Sequence, residues 1–228
     1  MSLPGQPCED PSAASEDPDS ARSRPARRTR ANGDRSRERI LDAATEVATE
    51  RGYDGTTISS VSKASGLPPT SIYWHFTDKD DLIAAVIDRS YQRWLGALSL
   101  PEGADAARWA GQIGTQVAKA LQEAPDFLRL GLKLALDRRP VERRAKRKFL
   151  QSRASTFDQF ARLIRQIAPE LDDDKVDLLT TYLIAGADGL FIAGEIDDDP
   201  QRFVELFELH ATVVLQSAID VVTSRPRY

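Results

Sequence analysis

Between Thr57 and Phe76 the chain starts and stops two helices in a stretch no longer than one ordinary helix. Thr57 is a good N-cap, Ile58 and Val61 lie one turn apart, and Gly66 supplies a left-handed stop. A residue before proline is pushed out of the α region, so Leu67 and Pro68 read as non-helical, whereas Pro69 suits the first position of a new helix. The spacing therefore predicts a short helix, a turn of about three or four residues, and a second short helix over Pro69 to Phe76. That is helix-turn-helix geometry.

The flanking segments are helical as well. From Arg35 onward, Ile40, Leu41, Ala44, Val47 and Ala48 share one helix face, and Gly52 is expected to cap that helix in the left-handed conformation with Tyr53 as its apolar contact. Thr77 and Asp80 form a Thr-x-x-Asp capping box for a long helix reaching about Ser99, in which Leu82, Ile83, Val86, Ile87, Trp94, Leu95 and Leu98 keep helical spacing. At 1.5 Å per residue it spans roughly 33 Å, enough to link two domains. Downstream, Pro101 with Gly103, Pro125, Pro140, Pro169 and Pro200 divide helical patterns near 104–124, 127–138, 140–168, 173–194 and 200–223. No strand signature or internal repeat interrupts them. The expectation is an all-α chain of about nine helices: a tail over 1–32, a helix-turn-helix unit over 33–80, and a helical sensing and dimerisation domain over 81–228.

A net charge of −4 over 228 residues argues against a nucleic-acid partner until the charges are mapped. Glu9, Asp10, Glu16, Asp17 and Asp19 crowd the first twenty residues, and Arg22, Arg24, Arg27, Arg28 and Arg30 follow with no acid among them. Both stretches lack large apolar residues, so residues 1–32 are expected to be disordered in the isolated protein. The lone Cys8 has no intrachain partner and the opening residues lack an apolar signal stretch, which reads as a cytoplasmic protein. The apolar run Tyr182 to Gly194 is interrupted by Asp188 and falls short of the roughly 20 residues of a bilayer span.

The stretch from Thr56 to Leu82, TTISSVSKASGLPPTSIYWHFTDKDDL, resembles the DNA-binding signature of the TetR (tetracycline-repressor) family, most specifically in Ile72-Tyr73-Trp74-His75-Phe76 followed by Lys79. Ser62 and Ser65 stand where that family usually has alanine, and Thr70 where it often has glycine. The resemblance implies a transcriptional regulator, by family default a repressor, that binds double-stranded operator DNA as a homodimer and responds to a small-molecule effector. Activation is the alternative; a helical adaptor that binds no DNA is a weaker one.

On chemistry alone, the leading residues of a recognition helix approach base edges, which selects Pro69, Thr70 and Ser71, with Thr57 at the start of the preceding helix. Tyr73, Trp74 and His75 carry donors suited to phosphate oxygens, while Ile72 and Phe76 read as core. Lys79 opposes the dipole in the first turn of its helix, so a phosphate would justify it; an exposed lysine tolerated at small cost is the other reading. Arg27, Arg28 and Arg30 suit an arm along the DNA backbone or in a minor groove, against the plainer reading of a solvated linker.

In the second half, the resemblance implies a ligand cavity among the helices after the DNA-binding unit. There it would recruit Trp109, Phe127, Phe149, Phe157, Tyr182 and Phe191, with Asp188 orienting a ligand, closing a polar network or facing a partner subunit. Gly111 and Gly114 each cost about 1 kcal/mol inside a helix, so a neighbouring backbone or a cavity must need the room. The run Arg138, Arg139, Arg143, Arg144, Lys146, Arg147, Lys148 reads as a solvated helix face rather than an anion site. The last two helices are apolar over too wide an arc for one domain to bury, and Gly186, Gly189, Phe207 and Val214 are the expected dimer contacts.

Enzymatic activity is not expected. Only His75 and His210 are present, no His/Cys/Asp cluster has metal-ligand spacing, and the glycine-rich GADGLFIAG lies within a helical pattern rather than after a strand. No cofactor and no membrane partner are implied.

Overall fold

The computed structural model describes residues 23–98, 110–137 and 143–223, with side chains described over 32–98, 110–137 and 143–220. Its elements are α1 (Ser23–Gly55), α2 (Ile58–Ser65), α3 (Pro69–His75), α4 (Lys79–Ala97), α5 (Ala110–Glu123), α6 (Asp126–Leu136), α7 (Arg144–Ile167), α8 (Asp173–Asp197) and α9 (Pro200–Thr223). No strand occurs among the described residues. Apart from the start of α1, the proline and glycine punctuation marked the described helix boundaries to within a few residues.

Three local details differ from expectation. α1 begins at Ser23, ahead of residue 33, because arginine and alanine are good helix formers even where no apolar face exists. Arg27, Arg28 and Arg30 fall on this extension, and their side chains lie outside the described residues. At Gly52 the backbone has positive φ but extended ψ (68°, −177°), so the helical run bends there instead of ending in a left-handed cap. The N-cap of α4 is Asp78, whose carboxylate accepts from the Asp81 N–H at 2.9 Å. Thr77 sits one residue earlier, its N–H and hydroxyl both directed to the Asp81 carboxylate.

One apolar cluster runs through the molecule. Ile40, Leu41 and Ala44 of α1, Val61 of α2, Ile72 of α3 and Phe76 close over Leu82, Ile83 and Val86 of α4. The same cluster continues along α4 through Ile87, Tyr91 and Trp94 into Phe127 of α6 and Phe149 of α7. α4 thus belongs to both halves. α5 and α9 lie along each other more extensively than any other pair of helices. Gly114 explains this intimacy: a Cβ there would lie 2.7 Å from the Phe207 carbonyl carbon and 2.8 Å from Glu208 Cα, so only glycine admits the α9 backbone. Of the two reasons raised for Gly111 and Gly114, a neighbouring backbone holds at Gly114, which also borders a cavity.

Candidate DNA interface and effector cavity

α2 is closed at its N-terminus by a reciprocal capping box: Ser60 N–H donates to the Thr57 hydroxyl at 3.0 Å, and Thr57 N–H donates to the Ser60 hydroxyl at 2.9 Å. Gly66 at its other end has φ 66° and ψ 20°, where a side chain would be strained. The turn that follows is held by the two unexpected serines. Ser62 donates to Leu67 O at 2.7 Å, and the Ser65 hydroxyl accepts from Leu67 N–H at 3.3 Å. Arg39 of α1 adds a bond to Ser65 O at 2.7 Å. Both hydroxyls thus bond the backbone of the turn, which alanine side chains could not do.

With Pro69 at its first position and Ile72 fully buried, α3 is seated against α1 and α2 and leaves Pro69, Thr70, Tyr73 and Trp74 exposed. Pro69 and Thr70 are exposed and Ser71 is half-buried. Tyr73 is 57% and Trp74 83% exposed, large apolar areas left open for which no intramolecular role is visible. His75 is half-buried, its ring edge-on to Trp74 at 5.8 Å, and Phe76 is buried beneath Arg37.

Lys79 is engaged within the protein. Its ammonium lies 4.4 Å over the Tyr53 ring and donates to Tyr53 O at 3.1 Å. Arg143 also lies over that ring, at 3.7 Å, so one tyrosine receives two cations. Arg143 pairs with Asp54 at 3.1 Å, Arg144 with Asp78, and Lys148 with Asp88 at 2.7 Å; Lys146 donates to Ala135 O at 2.9 Å. Arg143, Arg144, Lys146 and Lys148 are thus bonded to α1, α4 and α6, whereas Arg147 is exposed, so only part of the run is a solvated face. Arg138 and Arg139 lie outside the described residues. The Tyr53 hydroxyl donates to Asp80 at 3.0 Å, and burial followed by the bond to Asp80 pushes its pKa up to about 12.

In the second half, α4 to α9 enclose a cavity of about 70 Å³. Trp94, Ile113, Val117, Phe127, Phe149 and Phe207 make its wall apolar, and Arg153, Thr156, Asp188 and His210 add polar groups. Arg153 of α7 holds Asp188 of α8 through both guanidinium nitrogens, one at 2.9 Å, and His210 Nε2 is 2.9 Å from Leu183 O. The cavity could hold a few waters, but an apolar space of this kind tends to stay dry and to accept apolar molecules.

Against known proteins, the profile described as "Bacterial regulatory proteins, tetR family" matches residues 40–86, which covers the second half of α1 together with α2, α3 and the start of α4. The HTH-type transcriptional repressor Rv1474c of Mycobacterium tuberculosis is 29% identical over 192 residues, 79% of this chain and 94% of that protein. Residues 40–86 are thus a TetR-family DNA-binding segment. The HTH-type transcriptional repressor BepR of Brucella suis is 39% identical over 64 residues, 28% of this chain and 31% of that protein. SCO4454, a TetR-family transcriptional regulator from Streptomyces coelicolor, superposes with a TM-score of 0.60 at 22% identity, covering 80% of this chain and 95% of that one. At that identity the superposition speaks for the all-helical fold. The chain is a TetR-type transcriptional regulator.

Three of the seven residues expected around an effector, Phe127, Phe149 and Asp188, line the cavity. Phe157 and Phe191 line separate surface clefts, Tyr182 is 58% exposed, and Trp109 lies outside the described residues. Trp94, Arg153 and His210 were missed. Trp94 read as one more apolar position of α4, and the i to i+35 pairing of Arg153 with Asp188 leaves no trace in local periodicity.

The expected dimer residues are also redistributed. Phe207 packs against Phe203 with the rings tilted by 47°, Val214 is 3% exposed, and Gly186 receives the His210 ring. Gly189 alone of the four faces open space. The outward apolar stripe consists instead of Leu178, Tyr182, Ile192 and Ile196 on α8, with Leu209 and Val213 on α9. α8 also has the length and hydropathy of a membrane span, with Val176, Thr180, Ile184 and Phe191 buried and the charged Asp177 and Glu195 exposed beside the stripe.

Proposed function

We propose that this TetR-type regulator is a repressor that binds a two-fold symmetric operator as a homodimer and leaves it when a small, largely apolar effector enters the α4–α9 cavity. The observation carrying the DNA half is α3: a short helix anchored by Ile72, with Pro69, Thr70, Ser71, Tyr73 and Trp74 facing outward. Thr70 and Ser71 approach base edges, whereas Tyr73, Trp74 and His75 reach phosphates. Lys79 contributes by fixing Tyr53 rather than as a free phosphate ligand. Arg27, Arg28 and Arg30 add backbone affinity, and Thr57 holds the start of α2.

The homodimer is supported by the stripe Leu178, Tyr182, Gly189, Ile192 and Ile196, which follows alternating steps of three, four and seven along α8, the spacing of a helix seam. Beside it lie Leu209 and Val213. Two copies would close a four-helix interface and give the recognition helices a two-fold relation. Effector binding is supported by the apolar wall around Phe127 and Phe149. Drug-sized pockets are roughly 300–1,000 Å³, so an effector of that size must widen the cavity, and the helices of its wall must move.

Selection of bound duplexes from a random pool, repeated with small-molecule fractions added, tests the reading. The expected outcome is an inverted-repeat sequence bound at moderate salt and released by at least one apolar fraction. Failure to enrich any sequence would remove the DNA half; enrichment insensitive to every fraction would remove the effector half.

A further inference from the structure

The start of α7 has no cap of its own. Its N-cap residue Arg143 makes no side-chain capping bond, and the first turn carries no acid. The orphan N–H groups are met from another helix: Asp80 of α4 accepts from Arg144 N–H at 2.6 Å and Ala145 N–H at 3.4 Å. The same carboxylate accepts the Tyr53 hydroxyl, while Arg143 lies on the Tyr53 ring and Arg144 pairs with Asp78. One aspartate thus joins the end of α1, the first turn of α4 and the first turn of α7. It stands four residues after Phe76, where the recognition helix ends.

We propose that Asp80, acting as a helix cap supplied in trans, is the positioning residue that sets where the recognition helix sits, and that α7 is the rod through which the cavity acts on it. This rests on the repressor reading above. α7 is suited to the task because Phe149, a wall residue, follows Arg144 by about 8 Å of helix, and Arg153, Thr156 and Phe160 continue the same wall. Gly131 of α6 lies directly against the Phe149 ring, so the ring has no room to yield on that side. A molecule that displaces Phe149 therefore displaces α7, and the carboxylate on its first turn carries α4 and α3 with it. A carboxylate at a helix N-terminus is held by both its hydrogen bonds and the helix dipole, which makes the joint directional and stiff.

The test uses the full chain, the duplex enriched by the wild type, and a mixed-sequence duplex of equal length. Asp80→Ala is expected to raise amide exchange of residues 144–148 at least tenfold without DNA. It should also weaken the enriched duplex at least tenfold and leave the mixed duplex within about twofold. Tyr53→Phe keeps the ring between its cations and loses only the bond to Asp80, so its loss is about two- to tenfold on the enriched duplex; it covers the case in which Asp80→Ala does not fold. Faster exchange with unchanged discrimination overturns the inference, as does an equal loss on both duplexes. If the wild type enriches no duplex, it is the DNA reading that has failed.

Discussion

Replacing Gly114 by alanine separates helix propensity from close packing. Inside a helix the change gains about 1 kcal/mol in propensity. Here the new methyl would sit 2.8 Å from Glu208 Cα and 2.7 Å from the Phe207 carbonyl carbon, against the 3.5–4.0 Å of an ordinary carbon contact. α5 and α9 must separate by about 1 Å, and a gap of that size forfeits about a quarter to a half of each contact between them. Ile113 and Val117 on one side and Phe207 on the other are buried residues in that position. Overpacking costs about 1–3 kcal/mol, and because the obstacle is backbone the upper end applies, leaving Gly114→Ala about 2 kcal/mol less stable. Gly111 is the internal control. Its Cβ would meet only the Glu208 side chain, at 3.1 Å, and Glu208 is exposed and free to swing away, so Gly111→Ala should be more stable by about 0.5–1 kcal/mol. Urea unfolding at one fixed protein concentration reads both, since an oligomer's stability depends on concentration. A Gly114→Ala protein as stable as the wild type, or a Gly111→Ala protein that loses more, refutes the packing argument.

Ile192→Glu on the outward stripe should yield a folded monomer by sedimentation, whereas the dimer should survive Ile196→Leu; a dimer unaffected by Ile192→Glu would place the interface elsewhere. The raised Tyr53 pKa has a definite sign. Folding favours the neutral phenol, so its contribution is complete below about pH 10 and is lost progressively as pH rises from there through about 12. The stability difference between wild type and Tyr53→Phe should shrink across that window, and a constant difference would contradict the assignment.

Helix number and boundaries were legible because prolines and glycines interrupt a chain whose periodicity is helical throughout. The helix-turn-helix was legible for a stronger reason: Thr57, Gly66 and Pro69 each impose a backbone conformation locally. Contacts across large sequence distances were not. Arg143 reaches Asp54, 89 residues away, and Arg144 reaches Asp80, so part of a run that reads as solvated on its own helix is bonded in the fold. The same limit explains Phe207 and Val214. An over-wide apolar arc announces that α9 is covered on more than one side, but which side meets α5 depends on how α5 docks, and Gly114 decides that. Thr77 lost the N-cap to Asp78 because its hydroxyl and N–H are taken up by Asp81, a competition between neighbouring capable residues that pattern alone does not rank.

The central claim is that the leading turn of α3 reads bases while the residues after it hold phosphate. Anisotropy titrations of Thr70→Ala, Ser71→Ala and Tyr73→Phe against the enriched duplex and its single-base variants test it most directly. The account predicts that Thr70→Ala and Ser71→Ala relax preference at one or two base pairs per half-site, and that Tyr73→Phe weakens all duplexes alike, about two- to tenfold. Unchanged base preference in both Thr70→Ala and Ser71→Ala would contradict it.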